Sequence, residues 1–436
     1  MYSCGPTVYN YAHLGNLRSY VFADILKRTL KYFNYPVQHV INITDVGHLV
    51  SDGDEGEDKV EKATKKEGKT AKEITNFYTS EFMQDLKALN IETAGVTFPR
   101  ATEYIKEQIA LIQKLEQRGV TYKTADGIYF DTSKFPNYGA LGDIDLEHLQ
   151  EGARVESNIE KKHPTDFALW KFSTEKRQQE WDSLWGIGFP GWHLECSAMA
   201  MKLLGETIDI HTGGIDHIPV HHNNEIAQSE TATDTEFVRF WMHNQFLNVA
   251  DGKMAKSAEN FLRLKSIMDK GLNPLAFRYF LLQAHYRSPL TFSWQALEAS
   301  ETALERLSKH IQKLPTGGLV SQRFKQKFED HIKDDLDTAG ALALTWNLLK
   351  DNSVSETDKR TTIEDFDRVF GLNLTKISFE KTIAVPEKIN KLIKERQTAR
   401  ENKNWQKADE LREQIEKVGF MVKDTDRGYE IQKTQR

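Results

Sequence analysis

Cysteine is almost missing from this chain, which has only Cys4 and Cys196 in 436 residues. So few thiols exclude a disulfide-stapled extracellular scaffold, and one bridge in so large a chain would be unusual. Long apolar runs are missing as well, and none approaches the roughly 20 residues needed to cross a bilayer. The start, Met1-Tyr2-Ser3-Cys4-Gly5-Pro6, has neither the basic nor the apolar segment of a secretory signal, so the expected address is cytoplasmic. There is no basic excess: 58 Lys and Arg stand against 64 Asp and Glu, a net charge of -6. That balance excludes a uniformly basic nucleic-acid surface but permits a local one. Internal repeats and low-complexity tracts are absent too.

What is present is a folded composition, 39% apolar and 28% charged, at a length that suits two to four domains. Residues 1–45 read as a βαβ unit. Tyr2 to Cys4 is a short strand, and the apolar residues from Leu17 to Phe33 recur at helical spacing. Asn34 and Pro36 stop that helix, and Val37 to Ile43 alternates as a second strand. A parallel pair with a right-handed crossover follows, with ligands expected beyond the carboxyl ends of the strands. Cys4, the loop His13-Leu14-Gly15-Asn16 and Thr44-Asp45 all fall there.

Further along, 51–69 is highly charged and reads as a loop leading into a helix. Helices are expected over 70–89 and 102–118, and a hairpin over 120–131 turning at Ala125-Asp126-Gly127. Polar sequence to about residue 180 suits an insertion that splits the sheet. Ile208 to Ile210 and Phe237 to Phe240 read as returning strands, and the chain beyond Gly271 as helical. Near the end, 386–418 reads as a helical pair broken around Asn402 to Asn404, with a small hairpin after Gly419.

Three constellations carry chemistry. In the first, Gly15 allows close backbone approach, the helix start favours phosphate, and His13 and Asn16 can donate to a growing negative charge. In the second, Asp251-Gly252-Lys253-Met254-Ala255-Lys256-Ser257 sets two lysines three apart in a loop able to close on a polyphosphate. In the third, His221 and Glu225 are four apart on one helical face, while the neighbouring His222 points away. With Cys4 and Cys196 they would form a donor set suited to zinc. Two core thiols beside a polar helix start is the alternative that spacing leaves open.

The first two motifs, in this order after a βαβ unit, resemble the paired signatures of class I aminoacyl-tRNA synthetases. More specifically, the chain resembles the cysteinyl-tRNA synthetase family along nearly its whole length. Gly5-Pro6-Thr7-Val8-Tyr9, Asn42-Ile43-Thr44-Asp45, Pro99-Arg100-Ala101-Thr102 and Gly191-Trp192-His193-Leu194-Glu195-Cys196-Ser197-Ala198-Met199 carry that likeness. So do Gly213-Gly214-Ile215-Asp216, His221 to Gln228 and His285-Tyr286-Arg287-Ser288-Pro289-Leu290.

The resemblance implies an α/β Rossmann-type catalytic domain with a parallel sheet over 1–270, interrupted by a connective subdomain at about 115–185. It implies a stem-contact region at 271–300, a helical-bundle anticodon-side domain at 301–380, and a C-terminal helical pair with a hairpin at 381–436. The implied activity is ATP-dependent activation of L-cysteine and its transfer to tRNA(Cys). One zinc ion per chain, on Cys4, Cys196, His221 and Glu225, would recognise the substrate thiolate, and magnesium would accompany ATP. His13, Gly15 and Asn16 with Lys253 and Lys256 are implied as the ATP-binding group, of which His13, Asn16 and both lysines are catalytic. Gly5, Thr7, Thr44, Trp192, His193 and Asp216 are implied in the amino-acid pocket. An apolar pocket rejects a hydroxyl isostere only weakly, whereas a thiophilic metal can tell cysteine from serine.

Departures from the family pattern are Asn16 in place of the closing His of the first signature, and Ala255 in place of the first Ser of the second. Met1 also lies closer to Cys4 than the family's start usually does, so a truncated or compact beginning is expected. Two rivals share many of these residues. A ligase joining cysteine to a small amine would lack use for the tail, where 386–436 holds 13 Lys and Arg against 10 Asp and Glu. A catalytically dead paralogue would not need His13, Lys253 and Lys256. A monomer is expected, and no membrane contact.

Overall fold

The computed structural model describes residues 1–46, 49, 58–144, 159–249, 252–253, 262–379, 387–402, 404–425 and 428–433. It opens with strand β1 (Tyr2–Ser3), helix α1 (Leu14–Tyr32) and strand β2 (His39–Ile41). Helices α2 (Lys59–Glu67) and α3 (Ala71–Ala88) precede β3 (Val96–Thr97) and α4 (Ile105–Gln117). Next come β4 (Thr121–Lys123), β5 (Gly127–Phe130), β6 (Phe167–Phe172), β7 (Gly188–Pro190) and α5 (Trp192–Leu204). Strand β8 (Ile208–Gly214), helix α6 (Asn223–Thr233) and strand β9 (Val238–Asn244) complete the main sheet, and the short β10 (Leu247–Val249) and β11 (Gly252–Lys253) follow.

Strands β3, β2, β1, β8 and β9 lie side by side in that order, all parallel. Neighbours far apart in sequence therefore touch: Ser3 stands opposite Ile41 on one side and Thr212 on the other. The order reverses between β1 and β8, the kind of switch point where doubly wound sheets open a crevice. Strands β4 to β7 form a separate antiparallel sheet inserted before α5. Its buried face includes Phe130, Phe167 and Trp170, packed against Leu115 of α4 and Leu194 of α5.

The βαβ reading of 1–45 holds, with α1 starting three residues before its first anticipated apolar residue. Two stretches are more ordered than their polarity suggested. The charged run becomes helical at Lys59, because Asp58 is fully buried and accepts from the amides of Val60 and Glu61. The part of that run from 51 to 57 lies outside the described residues. The polar insertion contains β6, a strand whose alternation was masked because Phe167 to Trp170 are buried on both faces.

From Leu264 to Phe370 the described chain is mostly helical: α7 (Leu264–Asp269), α8 (Pro274–Leu282), strand β12 (Leu290–Phe292), then α9 (Trp294–Lys313), α10 (Gln322–Lys333), α11 (Thr338–Lys350) and α12 (Glu356–Phe370). The exception, β12, runs parallel to β10. The bundle is tied to the signature helix by Arg278 of α8, which is fully buried and donates to Asp24 Oδ2 at 2.6 Å, Phe370 O at 2.7 Å and Leu89 O at 3.0 Å.

Residues Met1–Leu264 and Pro274–Ile377 make one compact unit, and Lys265–Asn273 with Ser378–Arg436 make another. In the second, α13 (Glu387–Glu401), α14 (Trp405–Lys417) and the hairpin β13 (Phe420–Thr425) and β14 (Gly428–Lys433) share a small core of Ile389, Ile393, Ile415, Phe420 and Val422. This matches the helical pair and hairpin read from the sequence. Among the described residues no helix is long and apolar enough to cross a membrane.

Candidate functional site

The carboxyl ends of β1, β2 and β8 meet at one point. Cys4, the first residue past β1, donates its amide to Thr212 O of β8 at 3.1 Å. Gly5 N–H then donates to Asn42 Oδ1 at 2.7 Å, and a Cβ at Gly5 would stand 1.5 Å from the Asn42 carbonyl oxygen. Only glycine fits there, because the two chains touch backbone to backbone. Thr44 is stitched to the same loop: its amide donates to Pro6 O at 3.1 Å and its carbonyl accepts from Val8 N–H at 3.0 Å.

The first signature is the N-terminus of α1. His13 is the N-cap, and its Nδ1 accepts from the amide of Asn16 at 3.1 Å, while Asn16 Oδ1 accepts from the amide of His13 at 3.2 Å. This is a capping box with imidazole and carboxamide in place of the usual hydroxyl and carboxylate. Because Nδ1 accepts, the proton of the neutral ring sits on Nε2, which makes Nε2–H a donor. A Cβ at Gly15 would lie 2.9 Å from the His13 ring, so glycine lets the imidazole fold over the helix start.

A cavity of about 390 Å³ opens over this helix start, walled by Cys4, Gly5, Thr7, His13, Gly15, Asn16, Trp192, Asp216 and His221 among others. Nine of the residues expected from the sequence therefore share one space. Thr44 and His193 are buried behind its wall, His193 with Nδ1 at 2.9 Å from His221 Nδ1. For Lys253 only the backbone is described, in β11, where it pairs with Asn248 of β10. Lys256 lies outside the described residues.

Beneath the floor, Cys4 Sγ, Cys196 Sγ, a His221 ring nitrogen and a Glu225 oxygen all lie within 4.8 Å of one another. Cys196 comes from the second turn of α5 and Glu225 from α6. His221 sits not in α6 but in the wide π-helical turn Ile218–His222 just before it. The four-residue spacing still works, with His221 Nε2 3.0 Å from Glu225 Oε1. Yet that oxygen is buried without a well-directed hydrogen bond, the state expected of a donor aimed at a shared centre rather than at its neighbour.

The electrostatics suit a cation. A hydrogen bond from Cys4 brings the Cys196 thiol down to about 6 despite its burial, helped by His221. Burial would raise the Glu225 carboxyl, but His211 and His221 outweigh it and hold it at about 2. Burial likewise opposes charge on His221, yet Glu225 and Cys196 raise it to about 10. Two groups that prefer to be anions thus surround a proton, and a divalent ion would supply the same compensation more strongly. The donor set fits a metal.

Sequence reasoning missed the histidines around this floor. The Nε2–H of His211 of β8 donates to Glu225 Oε2 at 2.9 Å, and its ring stacks on Trp241 with centroids 4.6 Å apart. His222, set aside as pointing away from Glu225, has Nε2 3.3 Å from Cys4 Sγ and Nδ1 2.7 Å from His243 Nε2. Cys4, His211, His222 and Glu225 make a second donor group that shares two members with the first. His211 stands in the middle of β8, which neighbours β1, a strand order not written in local sequence.

Comparison with known proteins gives a consistent picture. Residues 1–302 match the family model described as tRNA synthetases class I (C) catalytic domain, and residues 383–431 match the cysteinyl-tRNA ligase anticodon binding domain. The chain is 48% identical to cysteine-tRNA ligase 1 of Burkholderia lata, over 99% of this chain and 92% of that protein. It is 44% identical to cysteine-tRNA ligase of Treponema denticola, over 97% and 93% respectively. Among solved structures, Mycobacterium tuberculosis methionyl-tRNA synthetase bound by methionyl-adenylate superposes with a TM-score of 0.57 at 16% identity, covering 85% of this chain and 90% of that one. The Agrobacterium radiobacter LeuRS ternary complex superposes at 0.61 and 11% identity, covering 85% and 83%. These two speak for the shared class I fold.

Proposed function

The chain belongs to the cysteine-tRNA ligase family of class I synthetases, and on that premise we propose how its site selects, activates and transfers cysteine. The reaction has two steps. The cysteine carboxylate attacks the α-phosphate of ATP, releasing pyrophosphate and leaving cysteinyl-adenylate. The terminal ribose hydroxyl of tRNA(Cys) then takes the cysteinyl group and AMP departs.

Neither step needs a protein nucleophile, so the chain's contribution is positioning and charge stabilisation. His13 Nε2–H and the carboxamide of Asn16 are placed to donate to phosphate oxygens, and the positive end of the α1 dipole favours the same negative charge. Lys253 and Lys256 close on the same phosphates from the second signature. Magnesium arrives with the nucleotide. Gly5 and Thr7 line the wall, Asp216 receives the substrate ammonium, Trp192 closes the pocket above His221, and Thr44 and His193 hold the layer behind.

Cys4, Cys196, His221 and Glu225 would hold one zinc ion, which when bound supplies a thiophilic position that favours a thiolate over a hydroxyl. The single observation that carries this reading is the meeting of those four donors at the floor of the cavity capped by His13. A match to an anticodon-binding model at 383–431 supports tRNA, rather than a small amine, as the acceptor. The domain limits proposed from the sequence serve that division of labour, with the catalytic region first and tRNA-reading helices after. A monomer and a cytoplasmic address, where charged tRNA is consumed, belong to the same reading.

Cysteine-dependent exchange of pyrophosphate into ATP tests activation, and charging of tRNA(Cys) tests transfer. Exchange with zinc present at one equivalent is the expected result. Active protein free of zinc would overturn the metal's role, and exchange without tRNA charging would favour a small-amine acceptor.

A further inference from the structure

Arg18, one turn past the first signature, is an unusual buried cation. It is 4% exposed and pairs with no carboxylate among the described residues. Its guanidinium instead donates to three backbone carbonyls: Nη1 to Phe246 O at 2.6 Å, and Nη2 to Ser288 O at 2.6 Å and Tyr286 O at 3.2 Å. Taking a guanidinium out of water without a counter-ion is costly, so these contacts must be well directed.

The three carbonyls belong to two separate segments. Phe246 immediately precedes β10, and 286–288 end one residue before β12, the strand parallel to β10. The segments already bond to each other, through Gln245 N–H to Tyr286 O at 2.9 Å and Leu290 N–H to Phe246 O at 3.2 Å. Arg18 takes up remaining lone pairs of both acceptors and clamps the corner to α1. Two residues past Phe246, Asn248 pairs with Lys253, the first lysine of the second signature. On the far side of that signature, Leu262 O accepts from Leu14 N–H of α1 at 2.9 Å. Helix α1 therefore grips the chain on both sides of the second signature, while His13 and Asn16 form its own cap.

We propose that Arg18 is a positioning residue for cysteine activation, fixing the first signature on α1 against the strand that launches the second. An α-helix rises about 1.5 Å per residue, so Arg18 sits only some 7–8 Å along the axis from His13, and a shift at one is felt at the other. The planar fork matters as well as the charge, because an ammonium cannot span two segments in the same way. The inference rests on the reading of this site as an ATP-dependent activating centre.

The test compares the full-length parent with Arg18→Lys and Arg18→Gln in cysteine-dependent pyrophosphate exchange, with rates scaled to active enzyme by burst titration of adenylate. Zinc content and thermal midpoint are measured on the same samples. The expected result is a fall in kcat of tenfold or more in both variants, below their melting range, with KM for cysteine and zinc content unchanged. A kcat per active site within twofold of the parent would overturn the proposal, and so would failure of both variants to fold, which would assign Arg18 to stability alone. A parent that performs no exchange would instead sink the activation reading itself.

Discussion

His211 Nε2 stands 2.9 Å from Glu225 Oε2, while the other oxygen of the same carboxylate lies 3.0 Å from His221 Nε2. One carboxylate is thus held from behind by one imidazole and faces another across the proposed metal centre. Partners of this kind orient metal ligands, and losing them typically weakens metal affinity about 10–100-fold.

Two overlapping donor groups make that relationship decisive. If zinc rests on Cys4, Cys196, His221 and Glu225, His221→Ala strips the metal and His211→Ala only weakens it. His211→Gln, whose amide nitrogen can replace Nε2, then retains most of the affinity. Competition with a chromogenic chelator reads the order directly. Loss of zinc from His211→Gln together with its retention by His221→Ala would move the metal to the group containing His211 and His222.

Cys196→Ser separates recognition from folding. The thiol is 1% exposed and held near 6 by Cys4 and His221, so it is poised as an anion, and serine cannot be. The expected effect is a rise of roughly a hundredfold or more in KM for cysteine in pyrophosphate exchange, with KM for ATP little changed. Equal losses for both substrates would make Cys196 a packing residue.

Asp24 and Arg278 join the signature helix to the bundle where neither is exposed. Burial would raise the Asp24 carboxyl, but Arg278 and Arg28 outweigh it and hold it below the usual aspartate range. A depressed carboxyl contributes stability that is fully present above the unfolded value, near 4, and is lost as pH falls through the lower folded value. Arg278→Met leaves Asp24 without its closest buried partner and should destabilise the first unit by about 3–5 kcal/mol at neutral pH, read by urea unfolding. Asp24→Asn should flatten the acid limb of the stability profile below pH 4. An unchanged acid limb would show that other carboxylates govern acid unfolding.

Much of this was legible in the sequence because the information was local. The apolar spacing from Leu17 to Phe33, the stop at Asn34 and Pro36, and the hairpin after Gly419 are decided within a few residues, and the structure has them. The meeting of Cys4 with Cys196 was not local. It depends on β8 pairing beside β1, which no spacing encodes, and there only family resemblance brought the two thiols together. His211 escaped for the same reason, its partner Glu225 being reached across the sheet, whereas His222 was set aside on ordinary helical geometry and the π-helical turn brings its Nε2 to 3.3 Å from Cys4 Sγ. Nothing in the sequence marks Arg18, since a cation satisfied by carbonyls leaves no acidic residue nearby to give it away.

His13→Asn is the most discriminating change at the first signature. His13 is read as doing two things at once: its Nδ1 caps α1 by accepting from Asn16 N–H, and its opposite nitrogen carries the ring proton and can donate to phosphate. Asparagine is among the best N-caps, so its side-chain oxygen can take over the first task, and helix stability should change by no more than about 1 kcal/mol. It is too short to place a donor where Nε2–H stands. Removing one donor to a developing negative charge typically lowers kcat about 10²–10³-fold. The expected outcome is therefore a loss of that size in pyrophosphate exchange, with thermal midpoint, zinc content and KM for cysteine near those of the parent. If activity instead falls only in proportion to a lowered midpoint, His13 acts as a cap, and the phosphate-facing role passes to Asn16 and the two lysines.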